Sequence, residues 1–395
     1  MKKNPFYSLQ MISGKPYLLP FGQAVAAQRP GVGLGGSAGF LWSLIDQCAD
    51  ADELVRRAVS EMELNGSEKT EAESDLRSFI SGLSDLGIIE SGDTLRSAAD
   101  SAGFYSVLQT GPLRTELRGP EDLFHEDFAP FLAAADPGLP AHQTVAVSDH
   151  MPPSQAGLTC LLQNSELEVY HGGGLILLRF PTMPDVSACA LSDDGSDAVF
   201  YVRPEKNKER LRTDLFHAIR HAFLYRAAIL GFYAVHSASV LYRDQVWLFS
   251  APAGTGKSTH AGLWQSSFGT PVLNGDLALL SMNGQGPVFI PVPWCGTSGI
   301  ALNETHRLGG IVFLKRGPVN SAAVLEPEDR PLRLANRLIS PVWTEQMLEC
   351  GLAFAEELSS RVMMWEHRCT AGAGAAECMK AAVDLYLKEG SADVR

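Results

Sequence analysis

The run that most constrains this chain is Ser250-Ala251-Pro252-Ala253-Gly254-Thr255-Gly256-Lys257-Ser258-Thr259, which follows the apolar residues Val246-Trp247-Leu248-Phe249. An apolar strand, a glycine-bearing loop and a helix in that order make a phosphate loop. Gly254 and Gly256 let backbone N–H groups turn toward phosphate oxygens with no Cβ in the way. Lys257 brings a point charge to the β- and γ-phosphates, Ser258 Oγ is placed to ligate Mg2+, and the following helix offers its positive end. The expected nucleotide contacts are therefore Ala253, Gly254, Thr255, Gly256, Lys257, Ser258 and Thr259, with ATP and Mg2+ as ligands. The strict pattern has glycine at position 251. Here Ala251 and then Pro252 stand at the entrance, which reshapes it.

The next feature is Asp276, which ends the apolar run Pro271-Val272-Leu273-Asn274-Gly275, 19 residues after Lys257. One helix, a break at Gly269 and one strand use up that interval. A right-handed crossover returns the strand parallel to the first, with its carboxyl end beside the phosphate loop. Asp276 is then a metal ligand, directly or through water; the alternative is an ordinary turn aspartate at a strand end. Lys257 and Asp276 are two of the expected catalytic residues.

The run His236-Ser237-Ala238-Ser239-Val240, the phosphate loop and Asp276 so soon after resemble the HPr serine kinase/phosphorylase family, whose nucleotide-binding core phosphoenolpyruvate carboxykinases share. The resemblance covers roughly residues 205–390. It implies that His236 lies close to the transferring phosphate as the third catalytic residue, against the alternative of a core histidine on a buried strand. Family members carry an Asp-Asp pair where this chain has Gly275-Asp276, so only the metal-binding second position matches and the general base falls to His236 or to a residue from elsewhere. The loop Pro291-Val292-Pro293-Trp294-Cys295-Gly296-Thr297-Ser298-Gly299 resembles the Pro-Trp-Ser/Cys-Gly loop of kinase homologues in peptide-modification gene clusters. It makes Trp294, Gly296, Thr297 and Ser298 candidate acceptor contacts; a tight turn packed by Trp294 is the other reading. Lys315 and Arg316, after the strand Ile311–Leu314, are candidate phosphate contacts or solvated surface charge.

Upstream, Tyr7–Ile12 and Pro16–Val25 read as a hairpin turned at Ser13-Gly14-Lys15. Three helices follow: one capped by Ser37, one over Asp52–Leu64 and stopped by Asn65-Gly66, and one opened by Ser67 and ended by Gly87. Ile88-Ile89 closes the module as a short strand. The order is winged-helix-like, and it resembles the PqqD-like peptide-recognition family. That resemblance implies capture of a leader peptide as a strand on the hairpin edge against the third helix, Glu68–Leu86. A DNA-binding winged helix is the competitor. Residues 52–75 carry eight acidic and three basic side chains, which repels phosphate backbones.

Composition bounds the rest. With 395 residues, two or three domains are expected, and a formal net charge of −13 argues against a general nucleic-acid or anionic-membrane binder. The seven cysteines are scattered and form no CxxC pair, which fits a reducing cytoplasm. No 18-residue uncharged apolar stretch occurs, so no membrane span or signal peptide is expected. The fold class expected is multidomain: a winged-helix-like α+β module over residues 1–92, a β-rich lead-in over 93–204 and an α/β P-loop kinase core over 205–395. Helices are expected at Asn207–Leu230, Lys257–Gln265, Pro331–Leu338, Thr344–Ser359 and Ala371–Leu387. The function expected is ATP-dependent phosphoryl transfer to a serine hydroxyl of a precursor peptide held by residues 1–92. A small-molecule kinase acting on serine or a sugar, and a nucleotide-gated peptide adaptor without phosphotransfer, are the alternatives; oligomerisation is left open.

Overall fold

A computed structural model describes residues 2–390 apart from 5, 22–29, 36–37, 49–50, 63–66, 87, 91–94, 96–98, 100–101, 137, 156, 204–206 and 285. The expected strand end at Val25, the cap at Ser37, the stop at Asn65-Gly66 and the glycine at 87 lie outside the described residues. The architecture is α/β with several sheets, antiparallel and mixed. The chain divides into two compact units: Met1–Tyr105, Arg118–Leu123 and Thr144–Leu215 in one, and Ser106–Leu117, Phe124–Gln143 and Phe216–Arg395 in the other. No helix among the described residues is long and apolar enough to cross a membrane.

The first unit opens with a hairpin of β1 (Tyr7–Ile12) and β2 (Lys15–Pro20), in register from Tyr7↔Pro20 to Ile12↔Lys15. Ser13 and Gly14 form the two-residue turn, both at positive φ (51° and 77°), the twist that a tight hairpin needs. The far side of β2 pairs with Val32–Gly33, while β1 has no second strand among the described residues. Helices α1 (Ala38–Leu44), α2 (Ala51–Glu61) and α3 (Ser67–Asp85) follow. They bury Leu41, Leu54, Val55, Ala58, Ile80 and Leu83 against Tyr7, Leu18 and Ile88. The short strand Ile89–Glu90 pairs back onto Lys2–Lys3. An antiparallel run from Thr159–Gln163 to Asp197–Val202 makes the rest of this unit, and residues 144–148 join its last strand in parallel.

The second unit is built on α4 (Lys208–Ile229), whose residues from Phe216 onward belong to it, β3 (Tyr233–Tyr242), β4 (Gln245–Ser250), α5 (Lys257–Phe268), β5 (Val272–Asn274), β6 (Leu277–Asn283), β7 (Gly286–Ile290), β8 (His306–Arg316), β9 (Ser321–Val324), α6 (Arg330–Ala335), α7 (Glu345–Arg361), β10 (Met363–Cys369) and α8 (Gly374–Gly390). β4 lies antiparallel to β3 and parallel to β8, and β8 lies parallel to β10. Both β4 and β5 run antiparallel to β3, so they share one direction with a strand between them. Val246, Trp247, Leu248 and Phe249 are all fully buried, the signature of a strand covered on both faces. Val246 and Leu248 pack toward α6 and α7 through Leu334, Phe354 and Leu358. Trp247 and Phe249 pack toward α5 and α8 through Trp264, Met379 and Val383.

One expected helix is shorter than its sequence pattern. Pro331–Leu338 is helical only to Ala335, because the chain beyond it is drawn onto β3: Leu338 bridges Val235, and Ile339 N–H donates to Ala234 O at 2.9 Å. Those backbone bonds outcompete another half turn.

Gly310, opposite Trp247 in the register, explains how two large indoles fit across β8. A Cβ there would stand 2.7 Å from Trp365 and 2.8 Å from Trp247, whose rings lie 5.8 Å apart. Gly310→Ala should therefore lower the unfolding free energy by about 1–3 kcal/mol, read from chemical denaturation. Trp365→Phe in the same chain should recover part of the loss, and an unchanged midpoint for Gly310→Ala would contradict this packing.

Candidate active site

The site grows from the end of β4. Ser250 Oγ donates to His236 O at 2.8 Å and ties β4 to β3 there. The loop then turns through Gly254 (φ 72°) and Gly256 (φ 116°), a region that residues with a Cβ rarely enter. Gly256 caps α5 with no side-chain hydrogen bond, so the first N–H groups of that helix stay available to an anion. Ala251, the departure from the strict motif, is buried in the same apolar cluster as Ala261, Trp264 and Trp365. Its methyl group fills core space that glycine would leave open. Arg316, at the end of β8, donates to Gly254 O and, at 3.4 Å, to Thr255 O, which places a guanidinium on the loop.

Lys257 and His236 meet behind this loop. The Lys257 ammonium is nearly buried and lies 2.7 Å from His236 Nε2 and 3.4 Å from Ala251 O. His236 Nδ1 lies 3.3 Å from Asp276 Oδ1. An ammonium can only donate, so Nε2 accepts and Nδ1–H faces the carboxylate. The result is a chain of Asp276, a neutral imidazole and Lys257. Burial pulls the His236 pKa below 6.5; Asp276 opposes this and Lys257 reinforces it. Burial likewise lowers Lys257, with Asp276 opposing and Arg337 reinforcing.

Asp276 owes its place to Asn274. The Asn274 side chain is buried, and its Oδ1 accepts the N–H groups of Asp276 and Leu277, both at 2.9 Å. Its Nδ2 donates to Val292 O at 3.0 Å and Trp294 O at 3.3 Å, so one amide fixes both the aspartate turn and the following loop. Ser237 N–H donates to Asp276 O at 3.0 Å. Ser258 Oγ reaches Gly275 O at 3.5 Å. The Ser258 hydroxyl and the Asp276 carboxylate are hard oxygen donors, a set that fits a small cation such as Mg2+.

Gly275 stands where the resemblance leads one to expect a second aspartate. A Cβ there would lie 2.1 Å from Ser298 Oγ and 2.3 Å from Ser298 Cβ. The space is taken by Ser298, whose hydroxyl donates to Cys295 O at 2.7 Å and accepts from Ile300 N–H at 3.2 Å. Gly296 closes over Asp276 from the same loop, its virtual Cβ 2.9 Å from Asp276 Cβ.

The remaining expected residues divide. Gly296 and Thr297 are exposed beside Asp276, and Ala253 and Thr259 are exposed in the loop and on the first turn of α5. Trp294 is buried; its indole N–H donates to Phe216 O at 2.9 Å, and its ring packs on Phe223, Phe216 and Phe128. It anchors the loop, with its ring turned into this aromatic packing. Lys315 points away from Arg316 by strand alternation, and its charge acts on Glu366. Two participants escaped sequence reading. Asn274 was visible as the first residue of an Asn-Gly-Asp turn. Arg337, whose carbonyl accepts His236 N–H at 3.1 Å, carried no local signal.

No known protein family matches the chain by sequence profile, and no curated protein matches it. Among solved structures, the HPr(Ser) kinase/phosphatase from Coxiella burnetii aligns with 41% of this chain and 94% of its own, at 13% identity and a TM-score of 0.25.

The Ser298 contact makes position 275 a sharp probe. Gly275→Ala should destabilise the protein by about 1–3 kcal/mol in denaturant melts, through overlap with Ser298. Adding Ser298→Gly should return most of that loss. Equal stability of wild type and Gly275→Ala would show that the loop is not packed on Gly275.

Proposed function

We propose that the second unit is an ATP-dependent kinase and that the chain Lys257–His236–Asp276 is its catalytic centre. That chain, set behind a glycine turn and an uncapped helix end, is the observation that supports the reading. The β- and γ-phosphates would lie on the N–H groups of residues 254–258, and Lys257 would exchange His236 Nε2 for a phosphate oxygen. The exchange leaves Nε2 with a free lone pair on an imidazole still oriented by Asp276. Nε2 would then take the proton of the acceptor hydroxyl as its oxygen bonds to the γ-phosphorus and the bond from that phosphorus to the β–γ bridging oxygen breaks, leaving ADP. Asp276 would stabilise the imidazolium so formed. Arg316 would meet the charge on the transferring group. Mg2+, held by Ser258 and Asp276, would supply charge neutralisation between the β- and γ-phosphates. This assigns the base role to His236 in a chain that has no room for a side chain at 275.

The acceptor we propose is a serine hydroxyl of a precursor peptide in the cytoplasm. Its leader would add as a strand along β1, whose outer edge has no strand partner among the described residues and carries the exposed Met11 and Ile12. Backbone bonds would supply affinity, and side chains of the hairpin and α3 would supply selectivity.

Lys257→Ala should abolish ATP turnover, and Asp276→Asn should reduce phosphoryl transfer by about a hundredfold or more. His236→Gln should keep nucleotide affinity and lose the chemical step. With the wild-type chain, an acceptor peptide lacking its leader should show a KM raised at least about tenfold at similar kcat, because tethering changes effective concentration and not chemistry. Full turnover by Lys257→Ala would refute the kinase reading. Equal KM for the two peptides would refute the leader reading alone.

A further inference from the structure

One turn along α5 from Lys257 lies a second cluster that the proposed reaction does not use. His260, on the first turn of α5, meets His367 and Cys369 from β10, and their ligand atoms all lie within 4.8 Å of one another. His367 and Cys369 are two apart on a strand and so share a face. His260 and His367 are almost completely buried, and Cys369 is half-buried. The imidazole rings lie 5.1 Å apart, centroid to centroid.

The hydrogen bonds show which nitrogens are free. His367 Nδ1 donates to Ser321 O at 3.0 Å, which leaves Nε2 as the unprotonated atom. That Nε2 is fully buried and has no hydrogen-bond partner. A bare acceptor in a packed interior costs about 1–3 kcal/mol unless something meets it. Burial holds both histidines in their neutral, ligand-competent form: His260 is brought down to about 3, and His367 is lowered against the opposing pull of the Ser321 and Ala375 backbones. Burial also raises the Cys369 thiol, so a thiolate there needs a counter-charge.

We propose that His260, His367 and Cys369 form a metal site for a borderline-soft divalent cation of the zinc class, independent of the phosphate loop. Two imidazoles and one thiolate are the donor set such an ion selects, whereas Mg2+ takes oxygen. Ligand atoms around a tetrahedral zinc ion stand about 3.5 Å apart, so the three side chains close inward on binding. Cys369 loses its proton to solvent, and the cation satisfies His367 Nε2. His260 Nε2 now accepts from Trp264 Nε1 at 3.2 Å, and coordination through it displaces that indole N–H. The ion ties α5, the helix that begins at Lys257, to β10.

The test uses the full chain, stripped with chelator and titrated with Zn2+ alone. Uptake of one equivalent, with release of about one proton and a change in Trp264 emission, is expected. Co2+ in its place should give a thiolate-to-metal charge-transfer band. Cys369→Ser should lose that band, and His367→Gln should weaken Zn2+ binding at least about tenfold. Failure of the wild-type chain to bind Zn2+, or a Co2+ spectrum with no thiolate band, overturns the site without recourse to variants. Unchanged affinity in both variants overturns it equally.

Discussion

A lysine ammonium held almost out of water against a neutral imidazole is the interaction on which the candidate site depends. Lys257 is nearly cut off from bulk solvent, so its ammonium needs acceptors inside the protein, and it finds His236 Nε2 and Ala251 O. His236 can accept only while its Nε2 is unprotonated, and Asp276 secures that by taking the Nδ1–H side. Each member fixes the protonation state of the next. In the proposed reaction this arrangement would hold a charged group one exchange away from a phosphate. A ligand oxygen with more negative charge than an imidazole nitrogen would win the ammonium, and the imidazole released would be a base already pointed and already in the required tautomer.

The scaffold makes this possible by bringing three strand ends to the side chain of His236 within β3. His236 comes from β3, the loop from the end of β4, Asp276 from the turn after β5 and Arg316 from the end of β8. A single buried amide, Asn274, then couples the aspartate turn to the 292–298 loop, and Trp294 pins that loop into an aromatic pocket. The loop in turn occupies, with Ser298, the space beside Gly275. Glycine at 275 and serine at 298 thus read as one packing decision, in a loop whose Gly296 also lies against Asp276.

Much of this was legible in the sequence, for reasons that differ by element. The strand, glycine turn and helix around Lys257 were visible because their pattern is local: a buried apolar strand, two glycines and a lysine within a dozen residues. α4 followed from helical spacing, α5 from the motif that precedes it, and β4 from a continuous apolar run; α7 and α8 were also expected near their observed places. β6, β9 and β10 were not anticipated. Leu277–Leu280 follows directly on the Asp276 turn, and Met363–Cys369 mixes charged and apolar residues because it pairs on both sides near a sheet edge. His236, Lys257 and Asp276 were named separately, but their mutual contact rests on strand pairings that no local pattern encodes. Arg337 reaches the site only because the chain after α6 is drawn onto β3. The His260–His367–Cys369 cluster was invisible for the same reason: His260 lies more than a hundred residues from the other two in the chain.

The most direct test of the central arrangement is the side-chain nitrogen spectrum of His236, recorded on 15N-histidine-labelled protein with His236→Gln for assignment. The account predicts a neutral ring protonated at Nδ1 near pH 7, and a large shift of Nε2 when MgATP draws Lys257 away. A His236 ring that is cationic, or protonated at Nε2, before nucleotide is added would contradict it, as would an Nε2 signal that does not move at saturating MgATP.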